Sequence, residues 1–203
     1  MLLPEDVESL LLLAQEAYER SGPSARVVEL LRVYVRVVSN NGLAWFQYGD
    51  SLRSIGRYRE AEQALLTARD LAPKTRRFAV EARLGMLCSK RDSPRQAEKW
   101  FRLATADSGC PGWVWCLRGA NLLRMESVRL ARDCLKAALD REDGDREEAL
   151  LNLGLAARCA REYDDALRYA REALEIDPGY LPAKELLDSI EGAKKAQDDA
   201  SQL

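Results

Sequence analysis

The sequence lacks histidine, has few cysteines and contains no long apolar run. None of its 203 residues is histidine, so the commonest general base and the commonest metal ligand are both missing. Its five cysteines are an odd number and include no Cys-x-x-Cys pair, which predicts reduced thiols rather than a disulfide framework or a zinc site. The longest apolar run near the N-terminus, residues 10–14, is far shorter than the roughly 20 residues that span a bilayer.

These absences exclude several classes of protein. The first residues lack the positive charge of a secretory leader, and we expect a cytoplasmic protein that does not insert directly into membranes. The sequence contains no nucleophile elbow, phosphate-binding loop or dinucleotide-binding loop. We therefore predict neither enzymatic activity nor a cofactor or metal. The acidic run at residues 140–148 is typical of a turn followed by a helix start.

The overall charge argues against a nucleic-acid partner. Hydrophobic residues make up 47% of the chain, charged residues 32%, and the net charge is −2, as in an ordinary soluble domain. Acidic and basic residues are interspersed, so no global field attracts phosphates. Single-stranded nucleic acid remains a remote alternative, in which Phe46 and Trp113 stack on bases and arginines meet phosphates.

Four glycines recur at nearly one period, and each is followed by alanines at fixed distances. Successive glycines lie 36, 34 and 35 residues apart, and each precedes one alanine by 12 residues and another by 19. Apolar residues fall at helical spacing around this frame, which predicts repeated pairs of helices joined by tight turns. Small residues at these positions let two helices approach closely. The frame consists of Gly49, Ala61 and Ala68; Gly85, Ala97 and Ala104; Gly119, Ala131 and Ala138; and Gly154, Ala166 and Ala173.

The most complete unit carries its frame residues within a longer pattern. Between Trp45 and Pro73 this pattern contains Tyr48, Gly49, Leu52, Gly56, Tyr58, Ala61, Leu65 and Ala68, and it resembles a tetratricopeptide repeat (TPR). The resemblance implies an all-α fold, a right-handed α-solenoid of antiparallel helix pairs (a TPR-like superhelix) with a C-terminal capping helix. We expect one domain over 1–203. Its predicted units are about 8–41 (degenerate), 42–75, 78–111, 112–145 and 147–180, then a capping helix at 181–193 and a frayed tail at 194–203.

The first unit departs from the frame. Gln15, Val27 and Tyr34 occupy positions where small residues are expected, so its two helices are predicted to pack farther apart. Ser24 follows the Ser-Gly-Pro break and is a candidate N-cap for the second helix. Two interpretations stay open: a modified terminal cap of the array, or a helix pair adapted to a partner.

In the family, the first helix of each pair lines a concave groove that contacts ligands. Carried over position by position, the resemblance implies a binding surface of Leu12, Leu13, Phe46, Gln47, Asp50, Arg53, Arg83, Met86, Trp113, Leu117, Arg124, Leu151, Asn152, Leu155 and Arg158. The Lys and Asn set with which chaperone-binding members hold a C-terminal carboxylate is assembled in no window of three units, which predicts against that ligand.

The carried-over surface is largely apolar. Exposed apolar strips of this kind are rare in soluble proteins without a use, and this one favours a peptide or amphipathic helix of a partner protein. The expected function is therefore a protein–protein interaction scaffold or adaptor. The alternative is an assembly subunit, in which the C-terminal helix or a second copy of the chain covers the strip; an enzyme is a remote possibility. The predicted strip consists of Leu12, Leu13, Phe46, Met86, Trp113, Leu117, Leu151 and Leu155.

Overall fold

The computed structural model describes the backbone of residues 4–201 and the side chains of residues 8–194. All regular structure within residues 4–201 is helical, which confirms the all-α prediction. A single 3-10 turn at Lys74–Arg76 precedes the fifth helix. The α-helices are α1 (Pro4–Ser21), α2 (Ala25–Val37), α3 (Gly42–Ser54), α4 (Tyr58–Leu71), α5 (Arg77–Lys90), α6 (Pro94–Ala104), α7 (Gly112–Arg124), α8 (Val128–Leu139), α9 (Arg146–Cys159), α10 (Tyr163–Ile176) and α11 (Leu181–Ser201).

The helices form two compact units, one ending at Asp107 and the other starting at Ser108. In the first unit, α1 pairs with α2, α3 with α4 and α5 with α6, while α2 packs on α3 and α4 on α5. In the second unit, α7 pairs with α8 and α9 with α10, and α11 packs on both α9 and α10. The single domain over 1–203 and the bounds of its five repeat units stay predictions, and the two compact units are described separately.

The Gly/Ala frame marks the places where paired helices touch. All eight alanines of the frame are fully buried. A Cβ atom added at Gly49 would lie 2.7 Å from Cγ of Leu65, and one at Gly119 would lie 2.6 Å from Cγ of Leu135. Since such distances are shorter than van der Waals contact, only glycine fits. A large side chain of the second helix therefore rests directly on the backbone of the first.

In the last pair, α9–α10, the side chain that covers the glycine comes from a helix outside the pair. Ala170 occupies the position that corresponds to Leu65 and Leu135. The space over Gly154 is filled instead by Leu186 of α11, whose Cδ2 lies 2.8 Å from where a Cβ atom would be. The C-terminal helix is thus part of the core of the second unit.

The ends of several helices are capped by the side chains that the sequence suggests. Ser24 is the N-cap of α2, as predicted, and its Oγ accepts a hydrogen bond from the Val27 N–H at 3.4 Å. Asp145 caps α9 by accepting from the Glu148 N–H at 3.3 Å, which confirms the helix start predicted from the acidic run. The frayed tail at 194–203 stays a prediction: the backbone of α11 is described as far as Ser201, and residues 202–203 lie outside the described residues.

The turn within each later helix pair contains one residue in the left-handed region. Gly56 has a φ of 82°, and the equivalent residues Asp92, Glu126 and Arg161 have φ values of 53°, 58° and 60°. This conformation costs about 1–2 kcal/mol for a residue with a Cβ atom. Glycine therefore matches the turn best, and three of these turns use a less suitable residue.

Replacing Arg161 or Glu126 with glycine is expected to stabilise the protein. Each change removes left-handed backbone strain at an exposed position. The free energy of unfolding should rise by about 0.5–1 kcal/mol, because glycine's larger entropy in the unfolded chain offsets part of the gain. Urea unfolding followed by circular dichroism measures this. Lys136→Gly, at an exposed position inside α8, is the control and should lower the value by about 1 kcal/mol; equal losses for all three variants would contradict the prediction.

Candidate functional site

A cavity of about 480 Å³ opens beside α1 and α3 in the first unit. Its wall is mainly apolar, with acidic residues contributed by both helices. The lining residues are Ala14, Gln15, Tyr18, Glu19, Val27, Leu31, Phe46, Gln47, Asp50 and Ser51.

The irregular first helix pair accounts for this opening. Gln15 and Val27 replace a glycine and an alanine of the frame, and both line the cavity. Larger residues at these positions prevent the close approach that the later pairs make. The structure thus places an open pocket in the pair for which the sequence predicts wider packing.

A second cavity, of about 220 Å³, lies on α3, the end of α4 and the start of α5. Phe46 lines both cavities, so its ring lies between them. Leu43 and Leu71 border the second cavity and are among the exposed large apolar residues of the chain. These two apolar depressions of the first unit therefore share one aromatic side chain. The second is lined by Gly42, Leu43, Phe46, Leu71, Ala72, Pro73, Arg76, Ala79 and Val80.

The predicted polar residues of this unit form ion pairs with one another. Oδ1 of Asp50 lies 2.8 Å from Nη2 of Arg53 and 3.1 Å from Nε of Arg83. Nη1 of Arg83 also approaches Sδ of Met86 at 3.3 Å. These contacts tie α3 to α5, and Asp50 offsets one of the two positive charges at this point of the surface.

In the second unit, two of the predicted surface residues are buried. Leu151 is 8% exposed and Asn152 is 5% exposed, so the predicted exposure of both is wrong. Leu151 belongs to a core cluster with Leu186 and Ile190 of α11. The Asn152 amide donates to the carbonyl oxygen of Glu148 at 2.9 Å and to its Oε1 at 3.1 Å. Packing of α11 and this local hydrogen bonding remove both side chains from the surface.

Burial also raises the pKa values of two side chains in the polar group around Asn152. Nδ2 of Asn152 lies 3.9 Å from Sγ of Cys116, and burial raises the pKa of the Cys116 thiol to about 12. Tyr180 donates its hydroxyl to Oε2 of Glu148 at 2.5 Å; burial and this hydrogen bond raise the pKa of Tyr180 above its ordinary value. At neutral pH Cys116 is therefore a thiol rather than a nucleophilic thiolate.

The eight predicted apolar residues do not form a uniformly exposed strip. Leu12 and Leu13 are exposed, whereas Phe46, Met86, Trp113, Leu117 and Leu155 are half-buried. Leu155 packs against the core cluster that includes α11, as the self-covering alternative expects for this part. Among the predicted cations of the second unit, Arg124 is exposed and Arg158 donates to Oγ of Ser189 in α11 at 3.1 Å.

Several residues at the cavities were not predicted from the sequence. Tyr18 and Glu19 line the larger cavity, and Leu43 and Leu71 line the smaller one. Gln15 at a glycine position and Val27 at an alanine position were the available sequence signals for the larger cavity. No sequence feature marks the smaller one, because it depends on how the ends of three helices meet.

The described part of the chain contains neither a metal-binding group of side chains nor a membrane-spanning helix. Among residues 8–194, no group of three or more cysteine or acidic side chains is arranged to hold a metal ion. No helix within the described residues is long and apolar enough to cross a membrane.

Comparison with known proteins places the fold among repeat proteins. Models of the tetratricopeptide repeat match residues 43–75 and 116–180. The MamA chain from residue 41 to its end, from Desulfovibrio magneticus RS-1, is 18% identical with a TM-score of 0.74, and the match covers 86% of this chain and 97% of that one. PilF from Pseudomonas aeruginosa is 23% identical with a TM-score of 0.75, covering 90% and 82%. YrrB, described as a TPR protein with an unusual peptide-binding site, is 17% identical with a TM-score of 0.69, covering 89% and 91%. No curated protein sequence matches.

Proposed function

Since this chain belongs to the tetratricopeptide repeat family, we propose that it is a protein–protein interaction scaffold whose first unit binds a short segment of a partner protein. The observation that carries this proposal is the cavity of about 480 Å³ between α1 and α3. Ligand sites are typically concave and mainly apolar, with a few polar groups that orient the ligand. This cavity has that character, with Phe46 and Tyr18 as apolar walls and Glu19 and Asp50 as polar ones.

The partner segment we propose is a peptide or one face of an amphipathic helix. A large apolar side chain of the partner enters the cavity and packs against Phe46, while its backbone lies across α1, α3 and α5. Anchors of this type supply most of the binding energy at protein interfaces. The Asp50, Arg53 and Arg83 group, already paired internally, then contributes shape and hydrogen bonding more than net charge.

We propose binding rather than catalysis as the form of this function. Cys116 is held as a thiol by burial, with a pKa of about 12, and the sequence has no histidine to act as its base. In the second unit, Trp113, Leu117 and Arg124 of α7 are the remaining candidates for partner contact, because Leu151 and Asn152 are buried.

Filling the larger cavity tests the proposal. Gln15 is exposed and lines the cavity, so Gln15→Trp should occupy the space without removing any core side chain. A partner would first be identified by photo-crosslinking from position 47 in the native cell, then purified and titrated by calorimetry. We expect Gln15→Trp to weaken its binding by about tenfold or more, since one large apolar side chain loses its site.

The neighbouring exposed residue provides a matched control. Glu16 does not line the cavity, and Glu16→Trp should bind the partner with unchanged affinity and unfold at the same temperature as Gln15→Trp. Equal binding by the two variants would refute this site. If light scattering shows that Gln15→Trp lowers a concentration-dependent mass of the protein alone, the occupant is a second copy of the chain.

A further inference from the structure

The smaller cavity beside Phe46 combines an apolar interior with a cationic rim. Arg76 lines it, and Lys74 stands in the same 3-10 turn. Both side chains are exposed, and neither forms an ion pair with a described residue. Nε of Arg77 donates to the carbonyl oxygen of Ala72 at 3.3 Å, which fixes a third cation close to the cavity wall.

The acidic residues nearby leave this charge uncompensated. From Arg69 to Arg83 the sequence contains five cationic and two acidic residues, whereas the whole chain has a net charge of −2. Arg83, at the end of this stretch, pairs with Asp50 of α3 at 3.1 Å, which leaves Lys74, Arg76 and Arg77 as the cations near the cavity. One of the acids, Glu81, is buried and pairs with Arg69 at 2.9 Å. The other, Asp70, is exposed. The local excess of positive charge therefore lies around the cavity that Leu43 and Leu71 border.

We infer that this cavity receives a large aliphatic or aromatic side chain of a partner segment whose adjacent residues are acidic. The inference rests on the proposed function and names the chemistry of the partner at one end of the same surface. The apolar wall supplies the anchor, and Lys74, Arg76 and Arg77 meet the flanking carboxylates. Such complementarity raises the association rate and selects among partners, and salt weakens it.

A protein segment suits this cavity better than nucleic acid or a membrane. A single-stranded nucleic acid requires several aromatic platforms along a basic groove, and Phe46 is the only aromatic residue that lines this cavity among the described side chains. A volume of about 220 Å³ has the scale of one or two side chains, and it is recessed between helix ends rather than spread over a face. Recognition by one anchor and its charged neighbours is the mode that fits.

A displayed library of random nine-residue peptides tests the inference on the full chain. Peptides selected at low salt would be labelled with fluorescein and titrated against the wild type, Gln15→Trp and three further variants. Lys74→Glu with Arg76→Glu reverses the rim charge. Lys99→Glu with Arg102→Glu, at exposed positions of α6 away from both cavities, makes the same change in net charge. Leu43→Ser removes an apolar wall at a side chain that is 59% exposed, so the fold should be retained.

We expect the enriched peptides to carry leucine, methionine or phenylalanine next to aspartate or glutamate. Their affinity should fall about tenfold with Lys74→Glu and Arg76→Glu, fall with Leu43→Ser, and remain unchanged in the α6 control. Peptides that Gln15→Trp blocks but the rim reversal leaves unaffected would overturn the inference while the proposed function stands. Peptides whose affinity is unchanged by Gln15→Trp, by the rim reversal and by Leu43→Ser would overturn both the inference and the proposed function. If an oligonucleotide or a phosphatidylserine vesicle, and no acidic peptide, binds through Lys74 and Arg76, the inference is also wrong.

Discussion

Replacing Gly85 with leucine is expected to destabilise the first unit by about 3 kcal/mol or more. A Cβ atom at this position would lie 2.6 Å from Cε1 of Phe101, and the leucine adds three further carbons in the same direction. Phe101 is fully buried in α6, so its ring cannot move into solvent without exposing core surface. Overpacking of a dense core typically costs about 1–3 kcal/mol, and here it also forces the paired helices apart. Urea unfolding monitored by circular dichroism measures the loss.

Gly192 provides the control for this experiment. It is also a helical glycine, in α11, but a Cβ atom there meets no atom within 4 Å. Gly192→Leu should be neutral or slightly stabilising, since leucine favours helix by nearly 1 kcal/mol over glycine. If Gly85→Leu behaved like Gly192→Leu, the explanation of the Gly/Ala frame by close packing would be wrong.

Leu186→Ala should lower the stability of the second unit by about 2–5 kcal/mol, the range for truncating a buried leucine. Leu186 is 3% exposed and covers the backbone at Gly154. Its loss leaves a cavity between α11 and α9 that these helices can close only by shifting. Leu181→Ala, at a position that is 60% exposed in the same helix, should change the free energy of unfolding by no more than about 0.5 kcal/mol.

A second substitution distinguishes lost contact from lost helix. Ala170 corresponds to Leu65, Phe101 and Leu135, the large residues that cover the glycine in other pairs, so Ala170→Leu should restore part of the stability in the Leu186→Ala background. In the wild type the same change should be destabilising, because Leu186 already fills the space. A double-mutant cycle measures the coupling energy between the two substitutions. If Ala170→Leu destabilised the Leu186→Ala background as much as it destabilises the wild type, α11 would contribute little to covering Gly154.

The packing frame was predictable from the sequence because it depends on residue type at fixed spacing. No residue with a Cβ atom fits where Leu65 or Leu135 lies against the helix backbone, so the glycine at that position is visible in the sequence. The left-handed turns were readable only at Gly56. Asp92, Glu126 and Arg161 adopt the same conformation without the residue that signals it.

The candidate site was only partly predictable, because exposure depends on neighbours that a repeat pattern does not specify. Position-by-position transfer assigned Phe46, Gln47 and Asp50 to a partner-binding groove, and all three line the larger cavity. The same transfer failed at Leu151 and Asn152, which α11 and Glu148 bury. Leu43 and Leu71 carry no pattern, and their cavity arises from the meeting of helix ends.

The arrangement over Gly154 limits how this protein can change in length. The pairs α3–α4, α5–α6 and α7–α8 each contain both the glycine and the large residue that covers it, so each can be duplicated or deleted as a module. The pair α9–α10 lacks its own covering residue and depends on Leu186. A copy of it inserted within the array would leave its glycine uncovered unless the next helix supplied an equivalent leucine. We therefore expect repeats to be gained or lost among the earlier pairs, while the last pair and α11 are inherited together.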